Sequence, residues 1–525
     1  MEEKVGRLDD LPDGVMREVS VGGKKVLLLK ADGAVRAYGA RCPHYAAPLA
    51  EGLLHEGRLV CPWHESTFLA ETGDLLEPPA LSGLTPFAVR IEDGDVYVNR
   101  PDDAPRQRTM PMASRDAGDE RLFAVVGGGA AGAAAIEALR QHGYAGRIVL
   151  VSREDRWPYD RPNLSKDYLA GEAGADWLPL RSQSFYEKHA IERLHASVTS
   201  LDAETRRLLL DDGVELLPDA VLLATGGEPR ALDVPGVELP EVLTLRSWDD
   251  CDRIVAAAGA GGGGPARAVV VGAGFIGMEA AASLTARGLE VTVVLPEQVP
   301  LARQLGPDAG RLLLALPKEP GVRFVPGRHV AVFDGDERLG AVTLDDGMRL
   351  EADLAVVGVG VHPATGFVDN AVVNDDGSLD VDDQLRVNLR GVWAAGDIAR
   401  YPEAHVGGRA RIEHWRLALQ HGRAAAASMA GAGQPFTGVP FFWTEQYGLR
   451  VSYAGVAGAW DESFVAGDVA ARDFVTFFVR DGALIAAGGT RGHEIDAFAA
   501  LMRLGRLPGP GSRRGREHSD LVRLL

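Results

Sequence analysis

The sequence predicts a multidomain chain: an N-terminal all-β domain, two α/β domains and a C-terminal α+β domain. Three observations carry this. Short strand-like runs separated by turn signals fill residues 1 to 103, two strand–glycine–helix–strand units begin at Leu122 and Ala268, and aromatic and alternating apolar runs return after residue 431. The expected division is 1–103, a linker over 104–120, one α/β domain in two parts (121–243 and 366–430), a second over 244–365, and 431–525.

Length and composition permit this many cores: 525 residues, 46% hydrophobic and 25% charged, describe a globular chain. Acids outnumber bases, 74 to 55, for a formal charge of -19. That argues against nucleic acid and anionic membrane, which both attract positive fields. Met1-Glu2-Glu3-Lys4 begins no apolar leader, and no run of about 20 apolar residues is present. Three cysteines cannot make a disulfide scaffold, and Cys251 in Asp249-Asp250-Cys251-Asp252 has no evident partner, so a cytoplasmic, reducing home is expected.

In the first domain the strands read as Lys25–Leu29, Arg58–Val60, Phe87–Ile91 and Val96–Val98, with turns at Asp32-Gly33 and Asp93-Gly94. Cys42-Pro43-His44 and Cys61-Pro62-Trp63-His64 should then lie on loops at the tips of two hairpins. Two thiolates and two imidazoles at this spacing can bind a two-iron cluster, the cysteines on one iron and the histidines on the other. A tetrahedral zinc site uses the same ligands, although zinc ribbons more often repeat C-x-x-C. Buried cysteines without metal are the remaining alternative.

The linker is polar, contains Pro and Gly and lacks periodicity. Leu122–Val126 then reads as a buried strand before Gly127-Gly128-Gly129-Ala130-Ala131-Gly132, an Ala-rich helix and the strand Ile148–Val151, which ends near Glu154. G-x-G-x-x-G in this context is a Rossmann-like dinucleotide site. Gly127, Gly129 and Gly132 let backbone approach a pyrophosphate at a helix N-terminus, and Glu154 accepts ribose hydroxyls. The alternative is a glycine-rich turn without ligand. The unit recurs 145 residues on, at Ala268–Val271, Gly272, Gly274, Gly277 and Val291–Val294. Two fingerprints imply two dinucleotides, most simply FAD and a nicotinamide. Gly261-Gly262-Gly263-Gly264-Pro265 reads as a flexible entry to the second unit. Strand ends at Thr225-Gly226 before Arg230, at Gly360 before His362-Pro363, and at Gly396-Asp397 close such folds. Asp397 could reach a flavin's ribityl chain or cap a helix. Beyond 431 comes the aromatic run Phe441–Tyr447, and the last 25 residues carry six arginines against Glu517 and Asp520, a pattern that most often is a solvated tail.

The two Cys/His boxes resemble the Rieske iron–sulfur family. Both fingerprints with Thr225-Gly226 and Gly396-Asp397 make residues 121–525 resemble the two-dinucleotide flavoproteins. Tyr159-Asp160-Arg161-Pro162-Asn163-Leu164-Ser165-Lys166, Arg411-Ile412-Glu413-His414-Trp415 and Pro440–Tyr447 narrow this to the branch of bacterial ferredoxin reductases and apoptosis-inducing factor. The whole chain is similar to Rieske-bearing members of that branch. The resemblance implies FAD, a [2Fe-2S] cluster held by Cys42, His44, Cys61 and His64, and NADH or NADPH as substrate. It places Lys166 against the flavin, Glu279 on the nicotinamide amide, Trp415 and Trp443 beside the isoalloxazine, and Arg161, Thr225, Arg230, Gly360, Asp397 and Glu413 around the cofactor.

Three departures matter. No C-x4-C pair occurs near Asn163–Tyr168, which removes dithiol chemistry. Ala47 and Trp63 stand where cytochrome-complex Rieske proteins carry a disulfide. Leu295 replaces the acid expected at the end of the second strand of the nicotinamide unit, with Glu297 and Arg303 beyond, so NADH against NADPH stays open from the residues and the family favours NADH.

The expected function is an NAD(P)H-dependent flavoprotein oxidoreductase passing electrons through FAD to the cluster and on to a one-electron acceptor. Lys166 would tune the flavin electrostatically. One rival is a Rieske oxygenase component. It needs a mononuclear iron, and no histidine pair offers one: His414 and His421 lie in the flavoprotein motif, His189 and His195 in a stretch read as helical. The other is an apoptosis-inducing-factor-like redox sensor with little turnover. Residues 1–103 carry 18 acids and 11 bases, so an acidic ferredoxin is repelled unless the C-terminal arginines dock it. The built-in cluster then replaces a separate ferredoxin, or the acceptor is basic. The expected assembly is a monomer or homodimer.

Ser66 stands where it can donate to a cluster sulfur, whereas Phe68 replaces a tyrosine donor of high-potential members. Fewer such bonds place the midpoint toward the bottom of the roughly -150 to +300 mV Rieske range. An EPR-monitored redox titration is expected to find it there, and a value near the top would contradict the reading.

Overall fold

A computed structural model describes every residue except 203, 260–265, 317–320, 369–372, 457 and 515–519. The Gly261–Pro265 loop is therefore outside the described residues. The N-terminal part holds two antiparallel sheets. The larger orders its strands Glu2–Arg7, Asp95–Asn99, Pro86–Glu92, Ala34–Gly39, Lys24–Ala31 and Met16–Val21; the smaller runs Leu53–His55, Arg58–Val60, Thr67–Leu69 and Leu75–Glu77. The continuous run Val26–Leu29 is buried because strand periodicity sends alternate side chains to two cores. Leu27 and Leu29 join Cys42, Leu49, Cys61 and Phe68, while Val26 and Leu28 join Val96 and Val98.

The first α/β sheet is parallel, ordered Ile191–His195, Arg147–Ser152, Leu122–Val126, Ala220–Leu223 and Val392–Ala394. Its last strand arrives about 170 residues after the fourth, because the second parallel sheet is inserted between them. That sheet runs Val242–Thr244, Leu354–Val357, Arg267–Val271, Glu290–Leu295 and Val322–Pro326. Both fingerprint helices, Ala130–Gln141 and Phe275–Ala286, follow the central strand of their sheet. A five-stranded antiparallel sheet over Phe441–Gly489 and the helix Gly492–Arg503 complete the chain.

The helix Trp415–Met429 crosses Ala130–Gln141 at very short range. A Cβ on Gly422 would sit 2.1 Å from the Ala131 carbonyl oxygen, so only glycine allows the approach. The linker forms no helix or strand but is held at both ends. Gly83 and Arg108 exchange backbone bonds of 2.9 Å, and the Ala113 and Asp116 amides donate to Arg140 and Ala145 at 2.8 and 2.9 Å. Only residues 109 to 112 remain between the two anchors.

Gly422→Ala forces the two helices apart. Overpacking of this kind costs about 1–3 kcal/mol, and a lower melting temperature with weaker FAD retention is the expected outcome, read by calorimetry and flavin release.

Candidate redox site: a cofactor cleft joined to a cysteine–histidine loop pair

Cys42 and His44 follow the strand Ala34–Gly39, and Cys61 and His64 lie in the hairpin between Arg58–Val60 and Thr67–Leu69. The Cys61 amide donates to the Ser66 carbonyl at 2.9 Å and the Cys42 amide to Ala47 at 2.9 Å, closing both loops around their ligands. His44 Nδ1 faces His64 Nδ1 at 2.9 Å, and the buried Cys42 and Cys61 thiols interact with one another. Among the described residues no three His, Cys, Asp or Glu side chains converge as a single ion requires. Two facing pairs, one of thiols and one of imidazoles, fit the donor set of a two-iron cluster.

Burial keeps the imidazoles neutral, with His44 lowered to about 3 and His64 well below the usual histidine range, which leaves ring lone pairs free for metal. Burial opposes the Cys61 thiolate, yet the Cys42 thiol and the Trp63 and His64 amides hold its pKa below the usual cysteine range. The Ser66 hydroxyl acts to lower the Cys42 pKa against the larger effect of burial, and its oxygen accepts from the Ala80 amide at 2.9 Å. Phe68 is fully buried and offers no donor.

A cleft of about 990 Å³ opens between the two α/β sheets, ample for a large cofactor. Gly127, Gly129, Glu154, Arg161, Lys166, Thr225, Gly274, Glu279, Gly360, Asp397, Glu413, Trp415 and Trp443 all line it. Gly132, Gly272 and Gly277 serve it from behind. A Cβ on Gly132 would meet the Gly127 oxygen at 1.9 Å and one on Gly277 the Gly272 oxygen at 2.1 Å, so these glycines seat each helix on its strand. A Cβ on Gly272 would stand 2.3 Å from the Gly358 oxygen. By contrast Gly274 faces open space, and Gly129 has only Arg161 Nε, 3.9 Å away. Bare backbone at two helix N-termini fits the pyrophosphates of two dinucleotides.

Glu279 is the most heavily engaged side chain in the cleft. It is buried, with Oε2 2.6 Å from Lys166 Nζ and accepting from Ser165 Oγ at 2.6 Å, while Oε1 accepts from Thr444 Oγ1 at 2.8 Å. Lys166, Glu279 and Thr444 come from three different elements. Glu154 pairs with Arg161 and accepts from Tyr159 Oη at 2.5 Å. Thr225 Oγ1 donates to the Ala364 carbonyl at 2.7 Å, tying two strand ends together.

Asp397 is no helix cap, because Ala395 occupies that position without a side-chain bond. It lies 3.5 Å from Arg246 Nη2 instead. Arg230 is exposed at the cleft's edge, where its Nε donates to the carbonyl of the lining residue Val361 at 3.0 Å across a two-stranded ribbon. Two expectations are corrected. His195 lies on a strand, not a helix. Four of the C-terminal arginines pair within the chain, Arg503 with Glu65, Arg506 with Glu56, Arg514 with Glu462 and Arg523 with Asp520, so the segment is not simply a solvated tail; Arg516 is outside the described residues. Leu295 is buried at its strand end, while Glu297 beyond it is exposed; the side chain of Arg303 is outside the described residues.

The cleft and the loop pair meet at Trp443. Its ring lines the cleft and lies 4.2 Å, centroid to centroid, from His64. Arg416, the second residue of the helix Trp415–Met429, is fully buried between the two parts. It forms an ion pair with Glu65 at 3.0 Å and donates to the Pro78, Glu65 and Val439 carbonyls at 3.0, 3.3 and 3.3 Å. One turn on, Gln420 donates to Glu77 at 2.6 Å. The Tyr45 hydroxyl donates to Asp160, and the Asn163 amide donates to Tyr45 at 3.3 Å. Sequence reasoning missed Arg416, Arg246, Asp160 and Asn163. Asp160 and Asn163 lie inside the Tyr159–Lys166 motif and Arg416 directly follows Trp415, whereas no local pattern marks Arg246.

The comparisons agree with this layout. Residues 122–422 match the pyridine nucleotide-disulphide oxidoreductase family, 2–88 the Rieske [2Fe-2S] domain and 441–505 the reductase C-terminal domain. Apoptosis-inducing factor 3 of Homo sapiens is 38% identical over 513 residues, 95% of this chain and 82% of that protein. The benzene 1,2-dioxygenase system ferredoxin--NAD(+) reductase subunit of Pseudomonas putida is 34% identical over 367 residues, 68% of this chain and 86% of that one. The solved ferredoxin reductase of the CYP199A2 system from Rhodopseudomonas palustris superposes with a TM-score of 0.72 at 32% identity, over 77% of this chain and all of that one.

Arg416→Leu strands the Glu65 carboxylate in the interface. Removing one partner of a buried pair costs about 3–5 kcal/mol. A matching fall in urea resistance and rapid proteolysis within residues 109 to 112 are expected, with partial recovery in Arg416→Leu/Glu65→Gln.

Proposed function

The chain belongs to the pyridine nucleotide-disulphide oxidoreductase family and carries a Rieske [2Fe-2S] domain; on that premise we propose that its own cluster takes the place of a separate ferredoxin. The protein is an FAD-dependent NAD(P)H oxidoreductase, in which flavin chemistry converts hydride transfer into single electrons for the cluster and a one-electron acceptor. The observation that carries the proposal is Trp443, shared between the cofactor cleft and His64 at 4.2 Å.

In this reading residues 1–103 hold the cluster through Cys42, His44, Cys61 and His64. Residues 121–243 and 366–430 hold FAD, 244–365 the nicotinamide dinucleotide, and 431–525 supply Trp443. Gly127, Gly129 and the helix behind them bind the flavin pyrophosphate, Glu154 the adenosine ribose and Asp397 the ribityl chain. Arg246, beside Asp397, adds positive charge at the same wall.

Lys166 presents its ammonium to the isoalloxazine, held by Glu279 at 2.6 Å. Glu279 is restrained in turn by Ser165 and Thr444, so a carboxylate oxygen keeps a fixed place for the nicotinamide amide. Trp443 fills the gap between cleft and loop pair and excludes water from it. The His44–His64 tip faces Trp443, so an external acceptor must take electrons at another edge, such as Trp63, which is 38% exposed. NADH is the preferred donor: Glu297 is the first carboxylate beyond the buried Leu295 and would repel a 2′-phosphate.

Anaerobic stopped flow with NADH and NADPH, following flavin absorbance together with freeze-quenched Rieske EPR, tests the reading. NADH should bleach the flavin faster, with the EPR signal following. Trp443→Leu should widen the lag between bleaching and the EPR signal at least tenfold. Coincident kinetics in this variant, or preference for NADPH, would contradict the respective assignment.

A further inference from the structure

The two ligand loops are built alike. The Ala46 amide donates to the Cys42 carbonyl at 3.0 Å and the Glu65 amide to the Cys61 carbonyl at 3.2 Å, closing each loop as a tight turn. Each turn contains a left-handed residue that is not glycine, Ala46 at φ 61° and Glu65 at φ 57°. Such turns set the course of the backbone, but a histidine ring still rotates about its own side-chain bonds. In both loops the residue after the histidine reaches out of the domain. Glu65, after His64, pairs with Arg416 at 3.0 Å. Tyr45, after His44, donates its hydroxyl to Asp160 and accepts from the Asn163 amide at 3.3 Å.

Tyr45 also packs on the imidazoles. Its ring lies 4.2 Å from His44 and 5.7 Å from His64, centroid to centroid, while Trp443 lies 4.2 Å from His64 and 6.4 Å from His44. Each histidine therefore has its own aromatic neighbour, and a ring so close limits how His44 can turn once the tyrosine itself is held. Among the described residues both hydrogen bonds of the Tyr45 hydroxyl leave its own domain. Their far ends are firm. Asp160 and Asn163 are buried, the Asp160 amide donates to the Leu178 carbonyl at 2.8 Å, and Asn163 Oδ1 accepts from the Tyr168 amide at 2.9 Å. The same segment, 159–166, contributes Arg161 and Lys166 to the cleft. One stretch of backbone thus sets both the cleft wall and the place of the Tyr45 phenol.

We propose that Tyr45 is a positioning residue for His44: its phenol, anchored in the flavoprotein body, fixes the imidazole at the iron that the histidines ligate. The inference rests on the assignment of the cluster to Cys42, His44, Cys61 and His64. Groups behind a metal ligand fix its orientation, and losing one costs about 10- to 100-fold in metal retention. Here the positioning group belongs to the cluster's domain and its anchor does not, so ligand geometry and domain docking become one property.

The test uses the full-length holoprotein as wild type, Tyr45→Phe, Asp160→Leu and Asp160→Asn. Two readouts are taken: the rate of iron loss to a ferrous-iron chelator, and the g-values of the reduced Rieske EPR signal, which report ligand geometry. Tyr45→Phe keeps the ring and removes the hydroxyl, and is expected to speed iron loss about tenfold and to shift the g-values. Asp160→Leu leaves residues 1–103 untouched and should do the same. Asp160→Asn keeps an oxygen acceptor for the phenol and should restore wild-type iron loss and g-values. If Asp160→Leu does not accumulate as folded protein, Tyr45→Phe and Asp160→Asn decide the matter. Unchanged g-values in Tyr45→Phe overturn the inference even where iron loss is faster, since weaker docking alone would produce that pair of results. An Asp160→Asn protein that behaves as Tyr45→Phe does also overturns it. Absence of a Rieske signal from wild type would overturn the cluster assignment instead.

Discussion

The buried guanidinium of Arg416 is the interaction on which the rest of the arrangement depends. Its planar fork reaches three carbonyls and one carboxylate from two domains, which a lysine's point charge could not satisfy together. The helix that carries it also crosses the first fingerprint helix at Gly422 and offers Gln420 to Glu77. One rigid element thus sets the distance between the pyrophosphate-binding turn and the ligand loops. Its start is firm because His414 Nδ1 accepts from the Arg416 amide at 3.3 Å, and burial, lowering that imidazole to about 3, keeps it a neutral acceptor.

The Lys166–Glu279 pair plays a matching part inside the cleft. The two residues lie 113 positions apart and belong to different α/β units, and Thr444 brings in a third. A buried carboxylate saturated by three donors has one geometry, and that fixes how the two dinucleotide units face each other. The tyrosine-to-lysine motif at 159–166 does double duty. Arg161, Ser165 and Lys166 look into the cleft or toward Glu279, while Asp160 and Asn163 grip Tyr45 beside the cluster ligand His44.

Much of this was legible in the residues. The glycine spacings, the strand runs before them and the two Cys/His boxes depend on local backbone geometry, which a linear pattern reports directly. What was not legible depends on contacts between distant segments. Arg416 was not singled out, since charged side chains are rarely buried and no local pattern marks the exception. The short ribbon that pairs Gly227–Pro229 with Val361–Pro363 beside Arg230 likewise joins segments too far apart for a linear pattern to announce. Arg503, Arg506 and Arg514 looked like part of a loose tail because their partners, Glu65, Glu56 and Glu462, are remote in the chain.

The tether between the two anchors at Arg108 and Ala113 has a kinetic consequence. On the proposed reading the tether, only four residues long, makes the encounter between donor and carrier intramolecular, at an effective concentration on the order of millimolar or above. Dilution does not slow it, competing carriers do not intercept it, and salt does not screen it as it screens two separate proteins. Pairing a reductase with its electron carrier is ordinarily a matter of affinity between surfaces. Here that choice is made once, at translation, and selectivity is left to act only where electrons leave.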